Sequence, residues 1–242
     1  MDSFHNNTRP SQSTSRNGSF KDFLLISPVV QIHLKKVYLS LCFSLLASAV
    51  GAYLHIIWNG GGLLTTLATL GCMCWLLAIP THEEKKRVSL LMLSALFQGA
   101  SVGPFIKLAT DFNPSILVCV FVGSAIAFAC FSGAAMLASR EYLCLGRLLS
   151  SCVSVLLWVH FASSILEGSL AFKFQLYFGL VVFVGYMMFD TLDIIKKAHL
   201  GDLDYVSHAL MLSTDFIAVF VRILIIMTRN SDDRAKWRNT RD

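Results

Sequence analysis

The sequence predicts an all-α membrane protein, a bundle of seven membrane-embedded helices, and three observations lead to that class. Of the 242 residues, 55% are hydrophobic and only 14% are charged, whereas a soluble domain carries about a quarter charged residues. The hydrophobic residues come in long uncharged blocks, near the ~20 residues that a bilayer crossing needs. Strands are not expected, because the blocks lack period-2 alternation and are longer than barrel strands.

Polar connections separate the seven blocks. Lys35 and Lys36 precede the first block, and residues 81–87 and 196–208 form the two longer water-facing loops. Lys107 lies close enough to the end of the third block for its amine to reach the membrane surface. In chain order, the predicted helices are Val37–Ile57, Gly61–Pro80, Val88–Ala109, Pro114–Ser139, Cys144–Leu166, Leu170–Ile195 and Ala209–Thr228.

The two ends of the chain differ in composition from the helices. Residues 1–36 are mostly polar, and the first hydrophobic block starts too late for a cleavable signal, so we predict a largely disordered cytosolic N-terminal segment. Residues 37–228 form the predicted transmembrane domain. Residues 229–242 form a charged tail that contains one tryptophan, and its basic residues indicate either binding to acidic lipid or calmodulin or a solvated topology determinant.

Lys and Arg residues predict the orientation of the bundle. They concentrate in the N-terminal segment and in the loops after the second, fourth and sixth helices, which places those parts in the cytosol. The tail beyond residue 228 is also basic, yet seven full crossings would put it on the other side. Either the seventh segment is re-entrant, or it crosses against the charge rule. In both cases its interior charges favour a central position, surrounded by the other helices.

Asp190 and Asp215 are the candidate functional residues. Each lies in a stretch of otherwise hydrophobic residues that is long enough to cross a membrane. A carboxylate at membrane depth is costly unless it faces a bundle interior, a water-filled cavity or a partner. If the two side chains meet, they can share one proton and act as a proton-operated latch. In their ionised form, their hard oxygen atoms suit transient binding of Ca²⁺.

Charged neighbours offer a simpler role for the same residues. Asp215 and Arg222 are seven residues apart and therefore share a helix face, so they can neutralise each other and hold the bundle together. Arg222, Arg147 and Asp193 are the candidate counter-charges. Asp193 lies one turn beyond Asp190, nearer the loop.

Small residues in the third helix predict tight packing. Gly99 and Gly103 form a GxxxG pattern directly before Pro104, and small residues four apart let membrane helices approach closely. The seven cysteines form no CxxC pattern, so we expect neither a zinc site nor another cofactor. No catalytic motif is present, and the basic residues indicate topology and not nucleic-acid binding.

Six stretches resemble the Bax inhibitor-1 branch of the transmembrane Bax inhibitor motif family, in its plant-type form. The resemblance covers about residues 24–230, and the stretches are 26–41, 51–58, 99–109, 113–117, 172–210 and 214–227. It implies a seven-helix bundle with a central last helix, residence in the endoplasmic reticulum and suppression of programmed cell death.

The same resemblance implies a mechanism. Family members are proposed to be pH-sensitive Ca²⁺ leak channels, and their paired aspartates fall on Asp190 and Asp215. The second helix here lacks the arginine that helps to latch the pore in bacterial members, which leaves Arg222 or Arg147 as candidates to replace it. The alternative is a non-conducting scaffold that binds partner proteins through residues 81–87 and the tail.

Overall fold

Seven α-helices make up the described part of the chain, which confirms the predicted all-α class. The computed structural model describes residues 28–58, 62–137, 143–166 and 169–239. The helices are α1 (Pro28–Trp58), α2 (Leu63–Ala78), α3 (Glu84–Phe112), α4 (Pro114–Leu137), α5 (Leu143–Leu166), α6 (Ser169–His199) and α7 (Tyr205–Asn239).

Five of these helices, α1, α3, α4, α6 and α7, are long and apolar enough to cross a membrane. The apolar stretches of α2 and α5 are shorter within the described residues. Large hydrophobic side chains are exposed around the bundle, among them Leu64 and Trp158. Such a surface is typical of a protein surrounded by lipid, because acyl chains are as apolar as the side chains themselves.

Both ends of the helical domain extend beyond their predicted limits. α1 begins at Pro28, ahead of Val37, because proline fits the first helical position. The side chains of Val30 and Leu34 are also buried against the bundle. The prediction of a disordered segment through residue 36 was therefore too long, and residues 1–27 lie outside the described part. At the other end α7 continues to Asn239, so helix replaces most of the predicted tail.

α7 is the central helix of the bundle, as predicted. Half of its apolar stretch is buried, compared with between 22% and 33% in the other four long helices. It packs against α1, α3, α4 and α6. A helix enclosed in this way can carry polar residues that a lipid-facing helix cannot.

α7 is also one continuous helix and not a re-entrant segment. The guanidinium of Arg229 lies over the ring of Phe172, 4.8 Å from its centroid. Phe172 is near the start of α6, whereas residues 200–204 connect the end of α6 to the start of α7. The C-terminal end of α7 therefore lies at the opposite end of the bundle from that connection.

Glycines bring α1 and α3 into close contact. A Cβ atom at Gly99 would overlap the backbone of Ser48, and a Cβ at Gly51 would overlap the backbone of Leu96. Gly103 makes room for the ring of His55 in the same way. Pro104 lies within α3 without ending the helix.

Candidate functional site

Asp190 and Asp215 meet between α6 and the central helix α7. Their carboxyl groups lie within hydrogen-bonding reach of each other. The residue Asp215 is only 7% exposed, and its Oδ2 atom has no hydrogen-bond partner in the described part of the chain. A hydrogen bond between two carboxyl groups requires a proton on one of them, so this geometry allows the pair to hold one shared proton.

Arg222 does not neutralise the pair. Its guanidinium lies over the ring of Phe183, 4.0 Å from the centroid, and its Nη1 atom donates a hydrogen bond to the Ala218 carbonyl at 3.2 Å. Gly179 leaves space for this side chain. Among the described residues no ion pair joins Arg222 to Asp215, so direct mutual neutralisation, one of the sequence interpretations, is not what the structure contains.

Asp193, another candidate counter-charge, has a partner of its own. Asp193 forms an ion pair with Lys197 at 2.7 Å, one turn further along α6. The side chain of Arg147 lies outside the described residues, as do the side chains of residues 233–239. Binding of calmodulin or acidic lipid by the tail therefore stays a prediction.

Hydroxyl groups link three helices beside the carboxyl pair. The hydroxyls of Tyr38 on α1 and Ser132 on α4 are hydrogen-bonded, and Ser132 lies 3.3 Å from the hydroxyl of Thr191 on α6. Thr191 directly follows Asp190 and is fully buried. The ring of Tyr38 contacts Phe128 edge to face, and Phe128 contacts Phe216 in the same way. Both carboxyl residues thus neighbour a fixed network that connects α1, α4, α6 and α7.

A buried histidine pair, which was not predicted from the sequence, lies nearer the start of α7. His33 Nε2 on α1 and His208 Nδ1 are 3.0 Å apart, and both residues are at most 3% exposed. One signal was available in the sequence. His208, Asp215, Arg222 and Arg229 recur every seven residues, which keeps them near one side of the helix.

A buried ion pair closes the end of the bundle beside the α6–α7 connection. Arg87 on α3 donates hydrogen bonds to both carboxylate oxygens of Asp204, at 2.9 and 2.7 Å, and a third to the hydroxyl of Ser207 at 2.9 Å. The sequence predicts Asp204 to be a solvated charge in the water-facing loop 196–208, and this prediction is wrong, because its side chain is only 15% exposed and that of Arg87 only 4%.

The Arg87–Asp204 contact also fixes the charge of the carboxylate. Burial raises the pKa of Asp204, but the hydrogen bonds from Arg87 and Ser207 outweigh burial and hold that pKa below its ordinary value. Asp204 therefore stays ionised at neutral pH.

The carboxyl pair does not form a complete metal site. Within the described residues no group of three or more His, Cys, Asp or Glu side chains converges, whereas Ca²⁺ takes six to eight oxygen ligands. Two carboxylates supply at most four. The arrangement is suited to exchange of a proton and to brief contact with a cation, and not to a permanently bound ion.

Known proteins with similar sequences belong to one family. The family model described as inhibitor of apoptosis-promoting Bax1 matches residues 30–232. Bax inhibitor 1 of Arabidopsis thaliana is 60% identical over 238 residues, which cover 97% of this chain and 96% of that protein. Bax inhibitor 1 of Oryza sativa subsp. japonica is 54% identical over 242 residues, covering 98% and 97%. Bax inhibitor 1 of Homo sapiens is 41% identical over 219 residues, covering 88% and 92%.

Proposed function

This chain belongs to the Bax inhibitor 1 family of cell-death-suppressing membrane proteins, and we propose that it is a pH-sensitive calcium leak in the endoplasmic reticulum membrane. In this proposal, the proton shared by Asp190 and Asp215 controls the passage of Ca²⁺. A controlled leak lowers the luminal Ca²⁺ store and thereby raises the threshold for cell death. The family is not an enzyme family.

One observation carries the proposal: two carboxyl groups lie within hydrogen-bonding reach of each other inside a membrane bundle, and no cation contacts them among the described residues. Loss of the shared proton leaves two like charges in contact in a medium of low dielectric constant. The charged pair then separates or attracts a cation. Either response changes the contact between α6 and α7 at the centre of the bundle.

The orientation of the protein follows from its basic loops. We propose that the N-terminus and the α6–α7 connection face the cytosol, because most Lys and Arg residues lie at that end, whereas the basic residues of 229–242 lie at the other. The continuous helix α7 then carries its C-terminal end toward the lumen. The carboxyl pair lies between the two faces, within the apolar stretches of α6 and α7.

The test is Ca²⁺ flux against pH in liposomes that contain only this protein. The wild-type protein is expected to conduct Ca²⁺ with a steep pH dependence, because the pair gains or loses a proton as one unit. Asp215→Asn is expected to lower the flux and to flatten its pH response, since an amide in place of one carboxyl hydrogen-bonds to Asp190 without a shared proton.

Asp193→Asn is the matched control. It removes a carboxylate from the same helix as Asp190, one turn away, but from a partly exposed ion pair. The flux should therefore stay at the wild-type value, and its pH response should shift only slightly through the loss of one nearby negative charge. Equal flux in wild type and Asp215→Asn would refute gating by the pair. Absence of flux in the wild type, together with cell protection that requires residues 229–242, would identify a scaffold instead.

A further inference from the structure

An apolar crevice runs along one side of the bundle, outside the carboxyl pair. It has a volume of about 460 Å³, which lies within the range of ligand pockets. α1 contributes one helix face between Leu45 and Ile56, and α3, α4 and α7 contribute the other walls. From α4 the lining includes Val118 and Phe121, and from α7 it includes Phe216 and Ile217.

The crevice opens toward lipid. Tyr53, Ile56, Val118 and Phe121 form part of its lining and are each between 41% and 64% exposed. All four lie on helices long enough to cross the membrane. The mouth is therefore continuous with the lipid-facing surface of the bundle, and hydrocarbon is what surrounds that surface.

The floor of the crevice is the central helix. Phe216 and Ile217 are at most 8% exposed, yet both line the crevice. Phe216 directly follows Asp215 and contacts Phe128 edge to face. A molecule that fills the crevice thus touches α7 beside the carboxyl pair.

We propose that this crevice binds one acyl chain of a membrane phospholipid, which enters sideways from the bilayer. The lining on α1 runs from Leu45 to Ile56, eleven helical steps apart, which is about 16 Å of helix. That length is about half of the ~30 Å hydrocarbon core, so it corresponds to one leaflet. A single extended acyl chain of one leaflet matches this length.

Apolar contact holds the acyl chain, and no headgroup recognition is needed. Among the described residues that line the crevice, only Ser48 and Tyr53 have polar side chains. The bound chain fills the space between α4 and the closely packed pair α1 and α3, and it supports α7 at Phe216. The proposal concerns binding and does not rest on Ca²⁺ conduction.

The test uses the full-length protein in liposomes with phosphatidylcholine that carries a photoreactive diazirine within one acyl chain. After illumination, mass spectrometry is expected to find adducts on Phe216 and Ile217, which the bilayer reaches through the crevice. Ala49→Phe places a ring in the crevice and should abolish these adducts. Ala129→Phe is the control, because Ala129 is exposed on α4 but is not part of the lining, and it should leave them unchanged.

Three results would overturn the proposal: no adducts at the floor in the wild type, adducts that persist in Ala49→Phe, or displacement of the phospholipid adducts by a sterol at the same residues. If Ala49→Phe does not fold, Val118→Trp serves in its place. Val118 is 64% exposed at the mouth, so a larger ring there covers the entrance without crowding the core. Added phospholipid should raise the Tm of the wild type in detergent and should not raise that of the blocked variant.

Discussion

Two aspartates on or beside α7 have different partners, a cation in one case and a second acid in the other. Asp204, just before the helix, accepts two hydrogen bonds from the buried guanidinium of Arg87. Asp215, in the N-terminal half of the same helix, meets a second acid, Asp190. No cation contacts Asp215 in the described part of the chain, since the nearby Arg222 instead lies over Phe183.

The difference separates a structural site from a switch. An aspartate that is paired with arginine is an anion at every physiological pH, so its contacts do not change with proton concentration. Two acids that face each other depend on a proton for their contact. In the proposed function, the protein therefore has a fixed ion pair where the helices join and a proton-dependent contact where they cross the membrane. The same substitution, Asp→Asn, gives a different expected result at each site.

The largest effect is expected at Asp204. Asp204→Asn removes the anion and leaves the Arg87 charge buried, and the loss of one partner from a buried ion pair costs about 3 kcal/mol or more of unfolding free energy. Denaturation by SDS in mixed micelles at pH 7 measures this loss. Lys86→Met is the control, since Lys86 pairs with Glu83 on the surface, and it should change stability very little.

The pH dependence of this loss has a definite sign. Because the pKa of Asp204 is depressed in the folded protein, the stability that the ion pair contributes is complete above the unfolded value of about 3.9. It is lost as the pH falls through the lower folded value. The gap between wild type and Asp204→Asn should therefore stay constant from about pH 5 to pH 8 and narrow below about pH 4. A gap that narrows near neutral pH would contradict the assignment of a fixed charge.

A smaller effect is expected at Asp215. Asp215→Asn keeps a hydrogen bond to Asp190, because the amide donates one without a shared proton, so the unfolding free energy should change by no more than about 1 kcal/mol. The same SDS denaturation measures it. A loss as large as that of Asp204→Asn would mean that Asp215 is a compensated anion, and the contrast between the two sites would disappear.

The helices could be predicted from the sequence because membrane crossing leaves a local signal. Long hydrophobic blocks predicted all seven helices in order. The two charged residues inside the last block predicted its central position. The predicted start of α1 was too late, because Val30 and Leu34 are buried but stand among polar residues in the sequence. Charged and buried positions alternate there with the helix period, and composition alone does not separate them.

Contacts between distant residues were harder to predict. Arg87 and Asp204 are 117 residues apart and each stands in a polar loop sequence, which is typical of solvated charges. His33 and His208 are 175 residues apart. Asp190 and Asp215 could be predicted as functional residues without a known partner, because an isolated charge in lipid is costly. Polar residues at the ends of helices carry no such cost, so their burial becomes visible only in three dimensions.

The smallest effect is expected at Asp193, which completes the series. Its ion pair with Lys197 joins positions i and i+4 of one helix, and both side chains are exposed, by 29% and 37%. Pairs of this kind contribute about 0.3–0.5 kcal/mol and weaken with salt. Asp193→Asn should therefore lower stability by no more than about 0.5 kcal/mol in low salt, with the difference lost in high salt. A larger, salt-independent loss would show that Asp193 acts with the buried pair, which would extend the switch from two carboxyl groups to three.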